Sequence, residues 1–286
     1  MTKKPAVAIS GAHGFIGSTL ANSFKADGYD VFALARDFDY EERKKELEKI
    51  SPDYILHLAA YGNHSTQQDE DEMFAANVIK TYLLLKASLN VPYKMFVNFG
   101  SNSEYGNQGR FCDEERTPWA KDFYGCTKVC GTYLARAFAW KYKKPILTVR
   151  PFSVYGPGEA DHRFIPTLIR SIETGESMPL VKEPVHDWIY IEDFVDALGA
   201  LMAHPDKFSG RLANIGTGSY YTNLQVVKSL EKLTGKLLKY TEMEKRPNDK
   251  LAHGAICGSL DTLDWTPKFT FAEGLKKTYY YYKNRL

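Results

Sequence analysis

No stretch of the 286-residue sequence is apolar for long enough to span a bilayer. Met1–Pro5 passes directly into Ala6–Val7–Ala8–Ile9 with no apolar leader ahead of it, so a cytoplasmic protein is expected. Cysteine is scarce: Cys112, Cys126, Cys130 and Cys257 are too few for a disulfide framework. Cys126 and Cys130 share a helix face, but no third or fourth ligand is spaced to complete a zinc site. Two buried, reduced thiols and no metal are expected. Charge of one sign is lacking too. The 37 Lys+Arg against 35 Asp+Glu leave a net charge of +2, without the concentrated basic excess of a nucleic-acid or membrane-surface binder. There are no repeats and no low-complexity linker. What is present is an ordinary globular composition, 44% hydrophobic and 25% charged, in a chain long enough for one large or two unequal domains.

Short Val/Ile-rich runs alternate with helical patterns, which reads as α/β with a parallel sheet. Strands are predicted at Ala6–Ile9, Asp30–Ala35, Tyr54–Leu58, Lys94–Phe99 and Ile146–Arg150, with helices at Gly14–Ala26, Tyr40–Ile50, Phe74–Leu89 and Tyr124–Tyr142. Between Asp37 and Asp53 stands one charged helix and no apolar strand, so the customary third strand of a doubly wound sheet is expected to be missing. Beyond Arg150 prolines and glycines punctuate the chain. A helix near Ile165–Thr174, a strand at Asp187–Tyr190, a helix at Glu192–His204, a strand near Leu212–Ile215 and a final amphipathic helix, Phe271 to Lys283, are read there. The expected organisation is a domain over 1–151, with about 186–216 returning to it, and a smaller lobe from 152–185 and 217–286.

The first strand is followed by Ser10–Gly11–Ala12–His13–Gly14–Phe15–Ile16–Gly17 and then a helix. Glycines three apart allow a tight turn, close approach of a pyrophosphate, and helix-on-strand packing, and the helix N-terminus supplies N–H groups to the phosphates. A dinucleotide site is therefore predicted over Gly11, His13, Gly14, Phe15, Ile16 and Gly17. At the end of the second strand an acid would bind a ribose 2′-OH and repel a 2′-phosphate. Here Ala35 stands in that place and Arg36 follows, suited to a phosphate dianion. NADP(H) is favoured, NAD(H) is the alternative, and Asp37 next door weakens the preference.

Tyr124 and Lys128 lie four apart at the start of a helical pattern, so a phenol and an ammonium can share one cleft. A nearby cation favours the phenolate and brings a phenol of pKa near 10 toward use at neutral pH. Ser101, at the carboxyl end of the strand Lys94–Phe99, offers a hydroxyl to hold a substrate carbonyl. Ser101, Tyr124 and Lys128 are the predicted catalytic residues.

With these residues in this order, the chain resembles the extended short-chain dehydrogenases, the sugar-nucleotide epimerase, dehydratase and reductase family. The likeness is carried by Gly11–Gly17, His57–Leu58–Ala59–Ala60, Asn77–Val78, Ser101 with Tyr105–Gly106, Tyr124/Lys128, Arg150–Pro151, Tyr155–Gly156–Pro157–Gly158, Asp187–Trp188–Ile189–Tyr190–Ile191, Arg246–Pro247 and Trp265–Thr266–Pro267. The resemblance implies a Rossmann-type doubly wound sheet with a C-terminal substrate lobe. It implies that Leu58, Ala59, Ala60, Asn77 and Pro151 help seat the dinucleotide together with Tyr124 and Lys128. It also implies that Asn102, Ser103, Arg163, His186 and Arg246 face a nucleotide-diphosphate sugar. In addition it implies a homodimer through helices Phe74–Leu89 and Tyr124–Tyr142, with apolar Tyr82, Leu83, Leu85, Leu134, Ala137 and Phe138 compatible with that face or with a core.

The 4,6-dehydratases of the family follow the catalytic hydroxyl with an Asp-Glu pair that performs the elimination. Asn102–Ser103 stand here instead, and neither is an acid or base at neutral pH. NADPH-dependent reduction of a 4-keto group on a nucleotide-linked deoxysugar is the expected activity, with an NAD-dependent 4-epimerase as the alternative. A non-catalytic dinucleotide sensor is the reading from another class. The segments around His57–Thr66, Val154–Gly158 and Arg163–Pro166 are similar to CDP-abequose and CDP-paratose synthases, so a CDP-linked sugar is favoured. His186 stands where many relatives have arginine, either as a titrating contact or as a loop histidine.

Overall fold

The computed structural model describes residues 4–64, 66–107, 111–244 and 254–286. The strands are β1 Ala6–Ser10, β2 Asp30–Ala33, β3 Tyr54–His57, β4 Met95–Phe99, β5 Phe111–Cys112, β6 Ile146–Pro151, β7 Ser153–Tyr155, β8 Met178–Leu180, β9 Val185–Tyr190, β10 Leu212–Ile215, β11 Tyr220–Thr222, β12 Tyr240–Glu242 and β13 Gly254–Ala255. The helices are α1 Phe15–Ala26, α2 Tyr40–Ile50, α3 Glu70–Phe74, α4 Lys80–Ser88, α5 Phe123–Tyr142, α6 Phe164–Thr174, α7 Ile191–Met202, α8 Pro205–Phe208, α9 Asn223–Thr234, α10 Gly258–Asp261 and α11 Phe271–Lys283.

The chain divides into two compact units. The first comprises Met1–Gly106, Glu114–Pro151 and Leu198–Ala213, and the second Asn107–Asp113, Phe152–Ala197 and Asn214–Leu286. Of the stretch 186–216, then, the part assigned to the first unit is 198–213.

The first unit is built on a six-stranded sheet of order β10-β6-β4-β3-β1-β2, in which β1 pairs in parallel with both β2 and β3. All five residues of β1 and of β4 are buried, which is why both read as unbroken apolar runs. β2 is the edge. No strand lies beyond it among the described residues, and none of its four residues is fully buried. The chain passes instead into α2, started by a capping box in which Asp39 accepts from Glu42 N and Glu42 accepts from Asp39 N, each at 2.9 Å. From β1 the chain first adds β2 on one side and then β3 on the other. The order reverses there, opening a crevice beyond the carboxyl ends of β1 and β3.

The helix expected over Phe74–Leu89 is interrupted: α3 and α4 flank a π-helical turn, Ala75–Ile79, that contains Asn77. The expectation of buried thiols fails at Cys126 and Cys130, both exposed. They lie on the outward stripe of α5 with Phe123 (41% exposed), Tyr133 (48%) and Trp140 (63%).

In the second unit β9 joins β7 in parallel and β11 in antiparallel, forming its own three-stranded sheet. Tyr155, Trp188, Tyr190 and Phe271 meet across this sheet. α11 buries Leu275, Thr278, Tyr279 and Tyr282 and leaves Tyr280 outside, so its tyrosine run divides between packing and surface as the helical period requires. No helix among the described residues is long and apolar enough to cross a membrane.

Candidate active site and dinucleotide loop

The glycine loop shows which glycines the fold needs for itself. Gly11 has φ +75°, and a Cβ there would stand 2.8 Å from Ala59 N. A Cβ on Gly17 would stand 2.1 Å from Gly11 O, so α1 closes on the loop only because Gly17 has no side chain. Gly14 is different. A Cβ there would meet nothing nearer than Gly11 O at 3.4 Å, and Gly14 is the exposed N-cap of α1, with no side chain capping the helix. The first N–H groups of α1 are thus left for an anion, beside the one glycine whose bareness internal packing does not demand. These residues fit a pyrophosphate. His13 is exposed beside Gly14, and Phe15 and Ile16 open the helix half-buried.

Ser10 and His57 tie the carboxyl ends of β1 and β3 together. Ser10 Oγ lies 2.6 Å from His57 Nδ1, and His57 Nε2 lies 2.8 Å from Thr81 Oγ1. Full burial, with the Lys128 charge a smaller influence, pushes the His57 imidazole down to about 3, so it stays neutral. Leu58, Ala59 and Ala60 follow, with Ala60 exposed. Asn77, 2% exposed, accepts from Tyr61 N at 2.9 Å and donates to Tyr61 O at 2.8 Å and Thr127 Oγ1 at 2.9 Å. Its amide is engaged within the protein. It therefore positions the segment after β3 against α5.

Ser101 caps a 3-10 turn, Asn102–Tyr105, and accepts from Ser103 N at 3.1 Å. Sequence reasoning passed over the residue that fixes this turn. Glu104, 0% exposed, accepts from Ser101 N at 2.8 Å and Thr132 Oγ1 at 3.0 Å, and pairs with Arg150 Nη2 at 2.7 Å and Nε at 2.9 Å. Its signal was available as the Ser-x-x-Glu spacing of a capping box. A Cβ on Gly125 would stand 3.0 Å from Ser103 O, so the bare start of α5 lets this turn pack beside Tyr124. Asp122 starts that helix, accepting from Gly125 N at 2.6 Å. Tyr124 is half-buried and Lys128 buried. Burial lowers the Lys128 ammonium to about 8, opposed by the Glu104 carboxylate. Ser101, Ser103, Tyr124 and Lys128 are thereby gathered by β4, the turn after it and the first turns of α5. Half-buried Pro151 closes β6.

The remaining candidates belong to the second unit. Arg163 is the N-cap of α6. His186 lies inside β9 rather than in a loop, its ring 5.3 Å from that of Trp188, while Phe164 stacks on the same indole at 6.1 Å. Trp188 Nε1 and Glu159 Oε2 are buried without a hydrogen-bond partner, and burial pushes the Glu159 carboxyl up to about 8 against the pull of Arg163. Asp187, missed as an organiser, accepts from Thr217 N and Oγ1 at 2.8 Å, Gly218 N at 2.9 Å and Ala255 N at 3.0 Å. Arg246 lies outside the described residues.

The chain is similar to the low-salt glycan biosynthesis protein Agl12 of Haloferax volcanii, 28% identical over 96% of this chain and 98% of that protein. It is also similar to dTDP-glucose 4,6-dehydratase of Haemophilus influenzae, 25% identical over 82% of this chain and 78% of the other. Among solved structures, MoeE5 in complex with UDP-glucuronic acid and NAD superposes with a TM-score of 0.89 at 29% identity, covering 98% of this chain and 100% of that one. The UDP-glucose 4-epimerase of Thermotoga maritima shares the fold, with a TM-score of 0.90 at 24% identity over 98% and 99% of the two chains. A family model described as NAD dependent epimerase/dehydratase matches residues 7–216. Its span takes in the glycine loop, Ser101, Tyr124 and Lys128, and the chain belongs to the NAD dependent epimerase/dehydratase family.

Proposed function

We propose that this protein reduces the 4-keto group of a nucleotide-diphosphate-linked deoxysugar with NADPH. The observation that carries the proposal is the state of Glu104. It is the one carboxylate in the turn that begins at Ser101, and both its oxygens are engaged by Arg150, Thr132 and the Ser101 backbone. Asn102 and Ser103, which stand between Ser101 and Glu104, are neither acid nor base at neutral pH, so no carboxylate of the turn is left to act in an elimination. Ser101, Tyr124 and Lys128 suffice for hydride chemistry and for nothing that needs a second proton shuttle.

A reduced nicotinamide, when bound, supplies the hydride. The Ser101 hydroxyl holds the sugar carbonyl oxygen, and the Tyr124 phenol gives it a proton as negative charge develops there. The Lys128 ammonium stabilises the phenolate left behind. The helix N-terminus at Gly14 holds the pyrophosphate, with Arg36 near the adenosine ribose. Arg163, His186 and Arg246 are assigned to the nucleotide sugar on the family resemblance alone, and a CDP-linked sugar is favoured. The complexes of MoeE5 with UDP-glucuronic acid and with UDP-glucose, both with NAD, support the substrate class. They also support the second reading, an NAD-dependent 4-epimerase using the same three residues.

Tyr124→Phe is expected to bind dinucleotide as the parent does and to lose turnover by about a hundredfold or more, the scale of a lost general acid. Unchanged turnover contradicts the mechanism. Intact binding with no turnover in the parent on any 4-keto or 4-hydroxy sugar nucleotide points to a dinucleotide sensor.

The first unit presents a face for a second copy. The outward stripe of α5 and the exposed Ile79 and Tyr82 are apolar, and we assign them to a homodimer. Leu85 and Phe138, grouped with that face from sequence, are buried in the unit's own core.

A further inference from the structure

The loop after β2 is held from two helices of the first unit. Arg43 of α2, 0% exposed, donates from Nη2 to Ala35 O and pairs through Nη1 with Glu46, its guanidinium 3.7 Å from the centre of the Phe38 ring. Glu46 accepts in turn from Ala35 N at 3.3 Å. From the other side comes Lys80, the first residue of α4. Its Nζ donates to Arg36 O at 3.1 Å and pairs with Asp37 Oδ1 at 2.7 Å. The absent third strand makes this possible, since α2 follows β2 directly and packs against α4.

We propose that Lys80 determines cofactor specificity as the second cation, beside Arg36, of a site for a dinucleotide 2′-phosphate, with the Asp37 carboxylate holding its place until the phosphate displaces it. This inference rests on the dinucleotide reading of the glycine loop and goes beyond it. The end of β2 is where the 2′ position of the adenosine ribose is read. One exposed arginine is a thin match for a dianion, and lysine serves phosphate as a point charge. The Arg36 carbonyl keeps Lys80 at the loop whichever anion it faces. Asp37 loses little on release, because its side chain is 85% exposed and passes into water. While paired, Lys80 holds the Asp37 carboxyl below its ordinary range, so Asp37 stays ionised and a fair stand-in for phosphate. Arg43 cannot serve, being wholly buried and engaged by Ala35 and Glu46. Asp37, which read in sequence as a residue opposing NADP, becomes the internal competitor of the site.

The test is calorimetric titration of the full chain with NADPH and with NADH. Lys80→Met is expected to raise the Kd for NADPH by about tenfold or more while leaving that for NADH within about twofold, and Lys80→Arg to keep most of the preference. Asp37→Asn is expected to tighten NADPH several-fold and leave NADH unchanged. Both positions are at the surface, and a thermal midpoint equal to the parent's confirms that the variants fold. A Lys80→Met protein whose two Kd values shift together, or not at all, overturns the proposal, as does a parent that binds NADH the more tightly. A parent that binds neither dinucleotide overturns the reading of the glycine loop itself.

Discussion

The two oxygens of Glu104 serve four donors, from Ser101 N, Thr132 Oγ1 and the Arg150 guanidinium, and all of them lie in the interior of the first unit. Ser101 is thereby held as a cap, with a rigid backbone behind it, which a residue meant to hold a reacting carbonyl requires. Sequence singled out Ser101, Tyr124 and Lys128 as catalytic candidates because a hydroxyl, a phenol and an ammonium follow a glycine-rich loop in that order. It did not show Glu104, because a carboxylate in a Ser-x-x-Glu spacing is ordinary until its burial is known. His57 is a similar case: it stood in a motif as a letter, and its function became visible only with Ser10 and Thr81 on its two nitrogens. It also makes a pH prediction. The folded imidazole sits near 3 and the unfolded one near the ordinary 6.5, so between these values the unfolded chain binds more protons. Stability from this group is complete above about pH 6.5 and is lost as pH falls, by up to about 1.4 kcal/mol for each unit of separation. Chemical denaturation from pH 7 to 4 should show that slope, and His57→Asn should flatten it. An equal slope in the variant would remove His57 as its source.

At the scale of elements, the parallel strands were legible because burial on both faces makes them continuous apolar runs. β5, β7, β11 and β13, of two or three residues each, carry too little pattern to be read. α9 was legible and unread, since its capping box, Thr222 accepting from Gln225 N at 3.0 Å and Gln225 from Thr222 N at 2.7 Å, stands in the sequence as a Thr-x-x-Gln start. The π turn at Ala75–Ile79 could not be foreseen, because the extra residue is inserted without breaking the apolar spacing. The glycine loop makes a prediction that separates folding from binding. Gly17→Ala drives a Cβ against Gly11 O and should lower both the thermal midpoint and dinucleotide affinity. Gly14→Ala meets no such wall and should leave the midpoint close to the parent's while still weakening dinucleotide binding. Thermal melts paired with titration check this. A Gly14→Ala protein that binds like the parent would take the pyrophosphate away from that helix end.

At the scale of the whole molecule, the absence of a third strand, read from a single charged helix between Asp37 and Asp53, matches a sheet whose edge is β2. Which residues would face a second copy was less legible. Spacing puts Leu85 and Phe138 on apolar faces as readily as Tyr133 and Trp140, and burial alone sorts them. Phe123, Cys126, Cys130, Tyr133, Ala137 and Trp140 recur at alternating steps of three and four along α5 and are all exposed, the pattern of a helix seam that lacks its partner. Light scattering at micromolar concentration should give twice the 32.5 kDa chain mass, and Tyr133→Lys should return it to one. A parent that elutes as a monomer would contradict that assignment.

The central claim is that hydride moves from a reduced cofactor to the carbonyl carbon of a nucleotide-linked sugar. The direct test is to supply NADPH deuterated at the transferring position of the nicotinamide, together with a CDP-linked 4-keto-6-deoxy sugar, and to weigh the sugar product. The account predicts one deuterium at C4 for each NADP released. Consumption of the ketone without label at C4, or interconversion of 4-hydroxy sugars with no net oxidation of NADPH, would contradict it.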